Sequence, residues 1–368
     1  MTRPDHRKHP LRHRWRWWLE AVLLVAIGAG VLGGCTTLSY YSHLAVGEAG
    51  VLLKRQPIRE VVADPDTPAE LRQRLQLALK ARAFASGVLK LPRNKSYTLY
   101  ADIGRPFVMY NVFATPELSL KPVEHCFLIA GCVAYQGFYH LDRAKALAAK
   151  LRKAGDDVYI GGVPAYSTLG HFADPILSSM NRWSTDELIG TIFHELAHQK
   201  LYVKGDTAFN ESFATFVQRE GLREWHEANH LPPPGPTQAR RQRQFTQLVL
   251  ATRKTLKAVY ASPLPDAEKR QRKQETFAQL RRQYRHLRDS QWHGRGDYDH
   301  WISTPINNAK LLPFGLYDQY VDAFAALFEQ CGQQWKPFYT RVRAVSRQDA
   351  EHRRAFLNGK RSAAPSTH

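Results

Sequence analysis

The stretch "TIFHELAHQKLYVKGDTAFNESFATF" constrains this chain more than any other segment. It places His194 and His198 four positions apart, with Glu195 directly after the first histidine. Side chains four residues apart on a helix lie one above the other, so both imidazoles can point a nitrogen at one ion. Glu195 lies about 100° further round such a helix and can reach a metal-bound water without ligating the metal.

The chemistry of these side chains predicts a catalytic zinc site. Zinc suits nitrogen and oxygen ligands, and a catalytic site needs three protein ligands and an open position. Glu211, in "FNESFA", follows His198 with twelve residues between and is the candidate third ligand. We therefore expect one Zn²⁺ per chain, held by His194, His198 and Glu211. Glu195 would take a proton from water that attacks a carbonyl and pass it to the leaving amine.

The alternative is a pair of amphipathic core helices whose histidines and glutamates face solvent or form ion pairs. The order H-E-L-A-H-Q and then N-E-x-F-A, however, resembles the gluzincin zinc peptidases, especially the aminopeptidase N group. That resemblance implies that the two histidines and Glu211 are zinc ligands and that Glu195 is the general base. Asn210 and Ala214 match the pattern around the third ligand.

The sequence departs from that group in two ways. The group has a longer insertion than the twelve residues that separate His198 from Glu211 here. Its Gly-x-Met-Glu-Asn strand motif, whose glutamate holds the substrate amine, corresponds to "GGVPAYSTLG" at residues 161–170, which contains no acid. Asp174 is the nearest acidic residue. Recognition of a free amine is therefore not established by the motif.

Over Cys126 to Tyr320 the chain is similar to a family of predicted bacterial aminopeptidases, short secreted proteins of which many are lipoproteins. The segments that carry this similarity are "CFLIAGCVAYQGFY", "DVYIGGVPAYSTLGHFADPIL", "HELAHQKLY", "FNESFATFV" and "INNAKLLPFGLY". The resemblance implies a zinc-dependent aminopeptidase that acts on peptides in the periplasm. The alternatives are an envelope endopeptidase and an inactive zincin-like scaffold or binding lipoprotein.

Residues 1–34 have the composition of a lipoprotein signal peptide. A basic segment precedes an apolar, glycine-rich run that ends in Leu-Gly-Gly before Cys35, which resembles the bacterial lipobox. Acylation of Cys35 would tether the protein to a lipid membrane, and Thr36 after it implies sorting to the outer membrane of a Gram-negative bacterium, facing the periplasm. The alternative is a plain transmembrane anchor, for which the apolar run is short.

A periplasmic location matters for the other cysteines, because disulfides form and persist there. Cys126 and Cys132 are separated by five residues and can form a small disulfide clip in an oxidising environment. The alternative is two buried thiols in an apolar pair of strands. We expect Cys331 to be a lone buried thiol on a helix.

The formal charge of +19 is concentrated in a predicted helical hairpin. From Gln238 to Leu287 thirteen Lys and Arg residues stand against three acids. Contact with anionic lipid, lipopolysaccharide or nucleic acid is one interpretation, and a solvated basic face is the simpler one, which we prefer. No nucleic-acid partner is expected, because the segment lacks interleaved aromatic residues for stacking on bases.

The whole pattern predicts an α+β fold: a zincin-like domain with an inserted basic hairpin. The predicted parts are a catalytic domain at 35–230, the hairpin at 231–300, a C-terminal helical part of the catalytic domain at 301–346 and a disordered tail at 347–368. Helices are predicted at 70–88, 141–155 and 207–220, the last ending at Gly221. Strands are predicted at 97–103, 106–118 and 157–170.

Two supporting roles are assigned to residues outside the motif. An extended peptide can pair with the edge of a predicted strand through Val163 to Leu169, along Ala165, Tyr166 and Ser167. The alternative is a core strand whose glycines serve a turn. Tyr317 is the candidate that stabilises the transition-state oxyanion, with Tyr320 and Tyr166 as rivals. Each of these tyrosines can instead be a packed core residue.

Overall fold

The computed structural model describes residues 39–127, 131–233, 236–314 and 320–359 of the 368-residue chain. Its α-helices within those ranges, numbered α1 to α12, are 39–53, Ile58–Ala63, Ala69–Gly87, Leu141–Lys153, Thr185–Lys200, Thr207–Ala228, Pro236–Ala261, Asp266–Gln291, Asp299–Ser303, Val321–Gln330, Trp335–Ser346 and Ala350–Leu357. Its strands, β1 to β8, are Arg55–Pro57, Leu99–Ala101, Met109–Pro116, His125–Phe127, Gly131–Val133, Tyr135–Phe138, Asp156–Val163 and Ile176–Leu177. The mixture of helices and small sheets agrees with the predicted α+β class.

The central sheet has the order β6-β3-β7 and is antiparallel throughout. Alternate side chains of these strands point to opposite faces. One face packs against α4, where Val112, Phe138 and Val158 meet Ala144 and Ala148 in a small core. The other face carries Phe113, Tyr135 and Tyr159 and is not part of that core.

Two smaller sheets flank the central one. One has the order β1-β2-β8, with an antiparallel and a parallel pair. The other is the hairpin of β4 and β5, whose backbone register sets Cys126 directly opposite Cys132. The side chains of these two residues lie outside the described part of the chain, so their disulfide stays a prediction. Cys331 is a free, half-buried thiol that caps the end of α10.

The largest core surrounds the two helices of the histidine motif. Phe193 of α5 and Phe213 of α6 are fully buried in it, together with Phe324 of α10 and Phe338 of α11. Ring contacts join Phe213 to Phe324 at 5.7 Å and to Phe338 at 6.1 Å between centroids. Burial on this scale fixes the positions of α5 and α6 from all sides. No helix in the described part of the chain is both long and apolar enough to cross a membrane.

Helices α7 and α8 form the hairpin and have a core of their own, which includes Phe245, Phe277 and Tyr284. Polar contacts tie the hairpin to the central sheet. Nζ of the buried Lys273 donates to the Asp157 carboxylate at 2.7 Å and to the carbonyl of Glu117 at 2.8 Å. The hairpin is thus held on the sheet beside the outer strand β7.

The predicted end of α6 is wrong. The helix continues through Gly221 to Ala228. A Cβ atom on Gly221 would lie 2.8 Å from Cδ1 of Leu89 and 2.9 Å from Cδ2 of Phe193. This glycine therefore permits close packing against α5 and against Leu89, just after α3, and does not end the helix.

The predicted strand through Ala165, Tyr166 and Ser167 is also wrong. Strand β7 ends at Val163, because Pro164 has no backbone N–H with which to continue the ladder. The three residues lie in a loop between β7 and β8.

The prediction of a disordered tail is wrong for residues 350–357, which form α12. The carboxylate of Asp349 accepts hydrogen bonds from the backbone N–H groups of Glu351 and His352 and so caps the helix. Leu357 is buried, and the ring of Phe356 lies 5.4 Å from that of Phe324.

Candidate metal centre

Helix α5 begins where the sequence predicts. Ser184 and Glu187 form a capping box, in which Ser184 Oγ accepts from the N–H of Glu187 and the Glu187 carboxylate accepts from the N–H of Ser184. The apolar side of the helix, which includes Ile192 and Leu196, is fully buried. His194 and His198 consequently lie on one side of a helix whose position is fixed by its buried side chains and its capped start.

The turn that joins α5 to α6 depends on Asn210. Its side-chain oxygen accepts from the N–H of Val203 at 2.8 Å, and its side-chain nitrogen donates to the carbonyl of Val203 at 2.8 Å. Asp206 caps α6 by accepting from the N–H of Phe209, and it also accepts from Arg353 of α12. These contacts position the start of α6, whose second turn begins with Glu211.

The two histidines and Glu211 meet as predicted from the sequence. Nε2 of His194 lies 3.1 Å from Nε2 of His198 and 3.3 Å from Oε2 of Glu211. Nε2 of His198 lies 3.6 Å from the same carboxylate oxygen. In the described part of the chain this is the cluster of His, Cys, Asp and Glu side chains that could hold a metal ion.

The second ring nitrogen of His194 is oriented by Gln218. Its Nδ1 lies 3.1 Å from Oε1 of Gln218, so Nδ1–H donates and Nε2 keeps its lone pair for the cluster. Burial alone would lower the pKa of His194, but the carboxylates of Glu211 and Glu195 raise it overall. Gln218 was not predicted from the sequence, although it follows Glu211 by two helical turns on the same side of α6.

The cluster fits a metal ion in two respects. Oε2 of Glu211 is buried without a hydrogen-bond partner among the described residues, which costs free energy unless an ion satisfies it. A tetrahedral ion with bonds of about 2.0–2.1 Å holds its ligand atoms roughly 3.3–3.4 Å apart. The observed separations, 3.1 to 3.6 Å, bracket that value.

Electrostatics in the cluster favour an anionic Glu211. Burial by itself would raise the pKa of this carboxyl, but the two imidazoles outweigh burial and lower it to about 2. A carboxylate that is ionised at neutral pH, beside two imidazole nitrogens, is the donor set that a divalent cation such as zinc prefers.

Glu195 lies beside the cluster but outside its ligand set. Among the described residues, no donor lies within hydrogen-bonding distance of its carboxylate, which leaves the oxygens available to a water or a substrate. Its charge acts on two buried neighbours, Tyr97 and Asp174, and raises the pKa of each in addition to the larger effect of burial. Tyr97 is 2% exposed and has a backbone φ of +61°, so the chain holds it in a strained position beside Glu195.

Asp174 serves the loop and does not offer a free carboxylate to a substrate amine. Only 2% of it is exposed, and it accepts hydrogen bonds from Ser167, from the backbone and hydroxyl of Thr168, and from Gln199. Gln199 follows His198 directly on α5. The loop that contains Ala165, Tyr166 and Ser167 is therefore tied to the motif helix through Asp174.

The candidate tyrosines have different outcomes. Tyr317 lies outside the described residues, so its role stays a prediction. The hydroxyl of Tyr166 donates to Glu48 at 2.5 Å, so its proton is already used in a hydrogen bond. Tyr320 packs against the main core at the start of α10. Tyr202 was not predicted as a site residue, yet its ring lies 6.2 Å from that of His198, and 50% of the residue is exposed.

The comparison with known proteins agrees with this geometry. A family profile described as "putative aminopeptidase" matches residues 39–357. The chain belongs to this family. The match is wider than the similarity expected from the sequence motifs, because it also includes α1 to α3 and α10 to α12. No curated protein and no solved structure matches the chain. Membership of a putative aminopeptidase family indicates a peptidase that acts on peptides.

Proposed function

We propose that the protein is a zinc-dependent aminopeptidase. Family membership supports peptidase activity, and the convergence of two imidazole nitrogens and one carboxylate oxygen within 3.1 to 3.6 Å supports a metal centre. The convergence is the observation on which the proposal chiefly depends, since three ligand atoms at these separations match the ligand set of a tetrahedral ion. The nitrogen and oxygen donor set favours zinc over magnesium and calcium, which prefer oxygen ligands alone.

Each residue of the site has a role in this proposal. His194, His198 and Glu211 would hold the zinc, which supplies a polarised carbonyl and a more acidic water when bound. Glu195 takes the proton of the attacking water and later delivers it to the leaving nitrogen. Gln218 keeps His194 in the tautomer that a ligand needs.

Cleavage at a free amino terminus is favoured by the family description alone. The acid nearest in sequence to the expected amine site, Asp174, is buried and fully hydrogen-bonded, so the amine would be recognised by other groups. Cleavage within a chain by an envelope endopeptidase is the outcome that would contradict this part of the proposal.

The place of action in this proposal is the periplasm, reached through a lipid anchor on Cys35. The lipobox-like sequence before Cys35 supports this, although Cys35 lies outside the described residues. Residue 39, four positions after Cys35, already lies in helix α1, so the folded part would lie within a few residues of the membrane surface.

The test uses the purified protein and its Glu195→Gln variant. We expect about one zinc per chain by elemental analysis in both, and turnover of amino-acid anilides in the first only. Glu211→Ala should lose zinc, while Glu220→Gln, further along the same helix, is the matched control and should keep both zinc and turnover. Absence of zinc from the wild-type protein would contradict the metal assignment. Hydrolysis of acetyl-blocked peptides without hydrolysis of anilides would indicate an endopeptidase.

A further inference from the structure

Three aromatic rings form a continuous row across the central sheet. The strand register sets Phe113 of β3 directly opposite Tyr135 of β6 and opposite Tyr159 of β7. The ring centroids are 5.3 Å apart for Phe113 and Tyr135 and 6.3 Å apart for Phe113 and Tyr159. These distances are typical of aromatic pairs that attract each other. We call Tyr135, Phe113 and Tyr159 the aromatic row.

The aromatic row lies on the face of the sheet that α4 does not cover. Residues of the opposite parity, such as Val112 and Val158, fill the core beneath α4. Tyr135 is 43% exposed, while Phe113 and Tyr159 are half-buried. The row therefore presents aromatic surface to solvent. The exposed face of an antiparallel sheet usually carries polar side chains, so this surface indicates a binding site.

One end of the row lies within electrostatic reach of the metal centre. The pKa of Tyr135 is raised, first because its phenol is partly withdrawn from water and then by the charges of Glu211 and Tyr202. Tyr202 is itself in ring contact with His198, at 6.2 Å. The candidate metal ligand Glu211 and Tyr202, which contacts the candidate ligand His198, thus lie within electrostatic reach of the Tyr135 phenol.

Glycines beside the row let its rings lie along the sheet. Asn111, the next residue of β3 on the same face, stands opposite Gly137 and Gly161. A Cβ atom on Gly161 would lie 3.1 Å from Cε1 of Tyr159 and 3.6 Å from Cε2 of Phe113. Both rings therefore lean over this glycine, and one face of each is directed away from the sheet.

The other end of the row is closed. Nζ of Lys310 lies 5.9 Å from the ring centroid of Tyr159 and 4.6 Å from that of Trp301. This lysine is buried and donates to the carbonyl of Trp301 and to Thr304, so it is a fixed part of the wall. The open part of the row is thus its Tyr135 end, on the side away from Lys310.

We propose that the aromatic row is the subsite that receives an aromatic side chain of the peptide substrate. The inference rests on the proposed function, since it places that side chain next to the bond to be cleaved. An aromatic ring gains offset stacking on the row in addition to burial of its area, whereas a methyl group gains little of either. The substrates preferred by the protein are accordingly peptides with Phe, Tyr or Trp beside the scissile bond.

A binding experiment tests the subsite without turnover. Zinc-loaded Glu195→Gln protein is titrated by calorimetry with Ala-Ala-Ala and with its two relatives that carry Phe at the first or the second position. We expect one of the Phe peptides to bind about tenfold more tightly than Ala-Ala-Ala. Adding Phe113→Leu, which keeps apolar bulk but removes the ring, should reduce this difference to about twofold.

Matched variants separate the subsite from general stability. Tyr110→Leu removes a ring from the same strand on the face toward α4 and should leave the preference intact. Tyr135→Leu, at the exposed end of the row, should lower the preference as Phe113→Leu does, and it serves if Phe113→Leu fails to fold. Equal binding of all three peptides, or a preference that survives both Phe113→Leu and Tyr135→Leu, would overturn the inference.

Turnover by the wild-type protein distinguishes this failure from failure of the proposed function. Hydrolysis of all three peptides at similar rates would keep the peptidase and reject the aromatic subsite. No hydrolysis of any peptide, with binding that still prefers Phe, would reject the peptidase and leave the aromatic row as a binding site.

Discussion

Oε1 of Gln218 lies 3.1 Å from Nδ1 of His194, two helical turns beyond Glu211 on the same helix. One helix therefore supplies both a candidate metal ligand and the group that orients another. Groups that orient a ligand in this way typically affect metal affinity about 10- to 100-fold. Because α6 packs against α5 through buried side chains, the orientation is fixed by the fold before any ion binds.

Replacing Gln218 should weaken metal binding. We expect Gln218→Ala to lower zinc affinity about 10- to 100-fold, because Nδ1 of His194 loses its acceptor and the ring is free to turn. Competition with a chromogenic chelator measures the affinity. Gln218→Glu keeps an acceptor at the same place and should retain affinity. An unchanged affinity in Gln218→Ala would show that Gln218 does not orient the ligand.

A second prediction concerns the close approach of α6 to its neighbours at Gly221. Gly221→Ala should destabilise the protein by about 1–3 kcal/mol, because the new methyl would overlap Leu89 and Phe193, and the usual preference of helices for alanine offsets only part of this. Urea unfolding gives the difference. Gly50→Ala in α1 is the control, since nothing lies within 4 Å of a Cβ there, and it should be neutral or stabilising. Similar effects of both substitutions would contradict the packing explanation.

Gly221 also shows where sequence-based prediction stops. The motif helix α5, its capping box and the cluster of His194, His198 and Glu211 follow from local spacing, and the structure contains them. The role of Gly221 depends on Leu89, which is far away in the sequence. The rule that glycine often ends a helix uses neighbouring residues only, and it therefore predicted a helix end at Gly221. The aromatic row was missed for a similar reason, because only the strand register brings its three rings together.

The loop after β7 illustrates a different limit. An apolar, glycine-containing segment was predicted to continue as a strand to Gly170, yet Pro164 ends the ladder and Asp174 then holds the loop by hydrogen bonds to Ser167 and Thr168. Alternation of apolar residues does not reveal such side-chain contacts. For α12 the prediction was disorder and the structure is a helix. The mostly polar composition did not reveal that Asp349 caps this helix and that Leu357 is buried.

The link between His226 and Asp186 makes stability depend on pH. Nε2 of His226 lies 2.9 Å from Oδ1 of Asp186 and so connects the end of α6 to the start of α5. Burial alone would lower the pKa of His226, but the acceptors at Pro232 and Asp186 raise it above the ordinary value of 6.5. A raised pKa in the folded state adds stability below about pH 6.5, and this stability is lost as the pH rises through the folded pKa.

His226→Gln should therefore cost more stability in acid than in base. We expect a loss on the order of 1 kcal/mol at about pH 5.5 and a clearly smaller one at about pH 8.5. Urea unfolding at the two pH values, with zinc removed from both proteins, gives the comparison. Asp186→Asn should reduce the same pH dependence from the other side. A loss that is equal at both pH values would mean that His226 contributes packing only.

The ion pair of Lys273 and Asp157 should contribute to the stability with which the hairpin of α7 and α8 packs on the central sheet. Only 4% of Lys273 is exposed, and the Asp157 carboxylate also accepts from the backbone N–H of Asn308 at 2.9 Å. Lys273→Met would leave that carboxylate poorly compensated in a largely buried site, which typically costs about 3–5 kcal/mol. Thermal unfolding should show the loss, and Asp157→Asn in the same chain should recover part of it by removing the buried charge.

Zinc content should stay unchanged in both variants, because the pair lies on the central sheet and contacts none of the candidate ligands. If Lys273→Met instead removed zinc as well as stability, the hairpin would be coupled to the metal centre, and the site could not be treated as a unit formed by α5 and α6 alone.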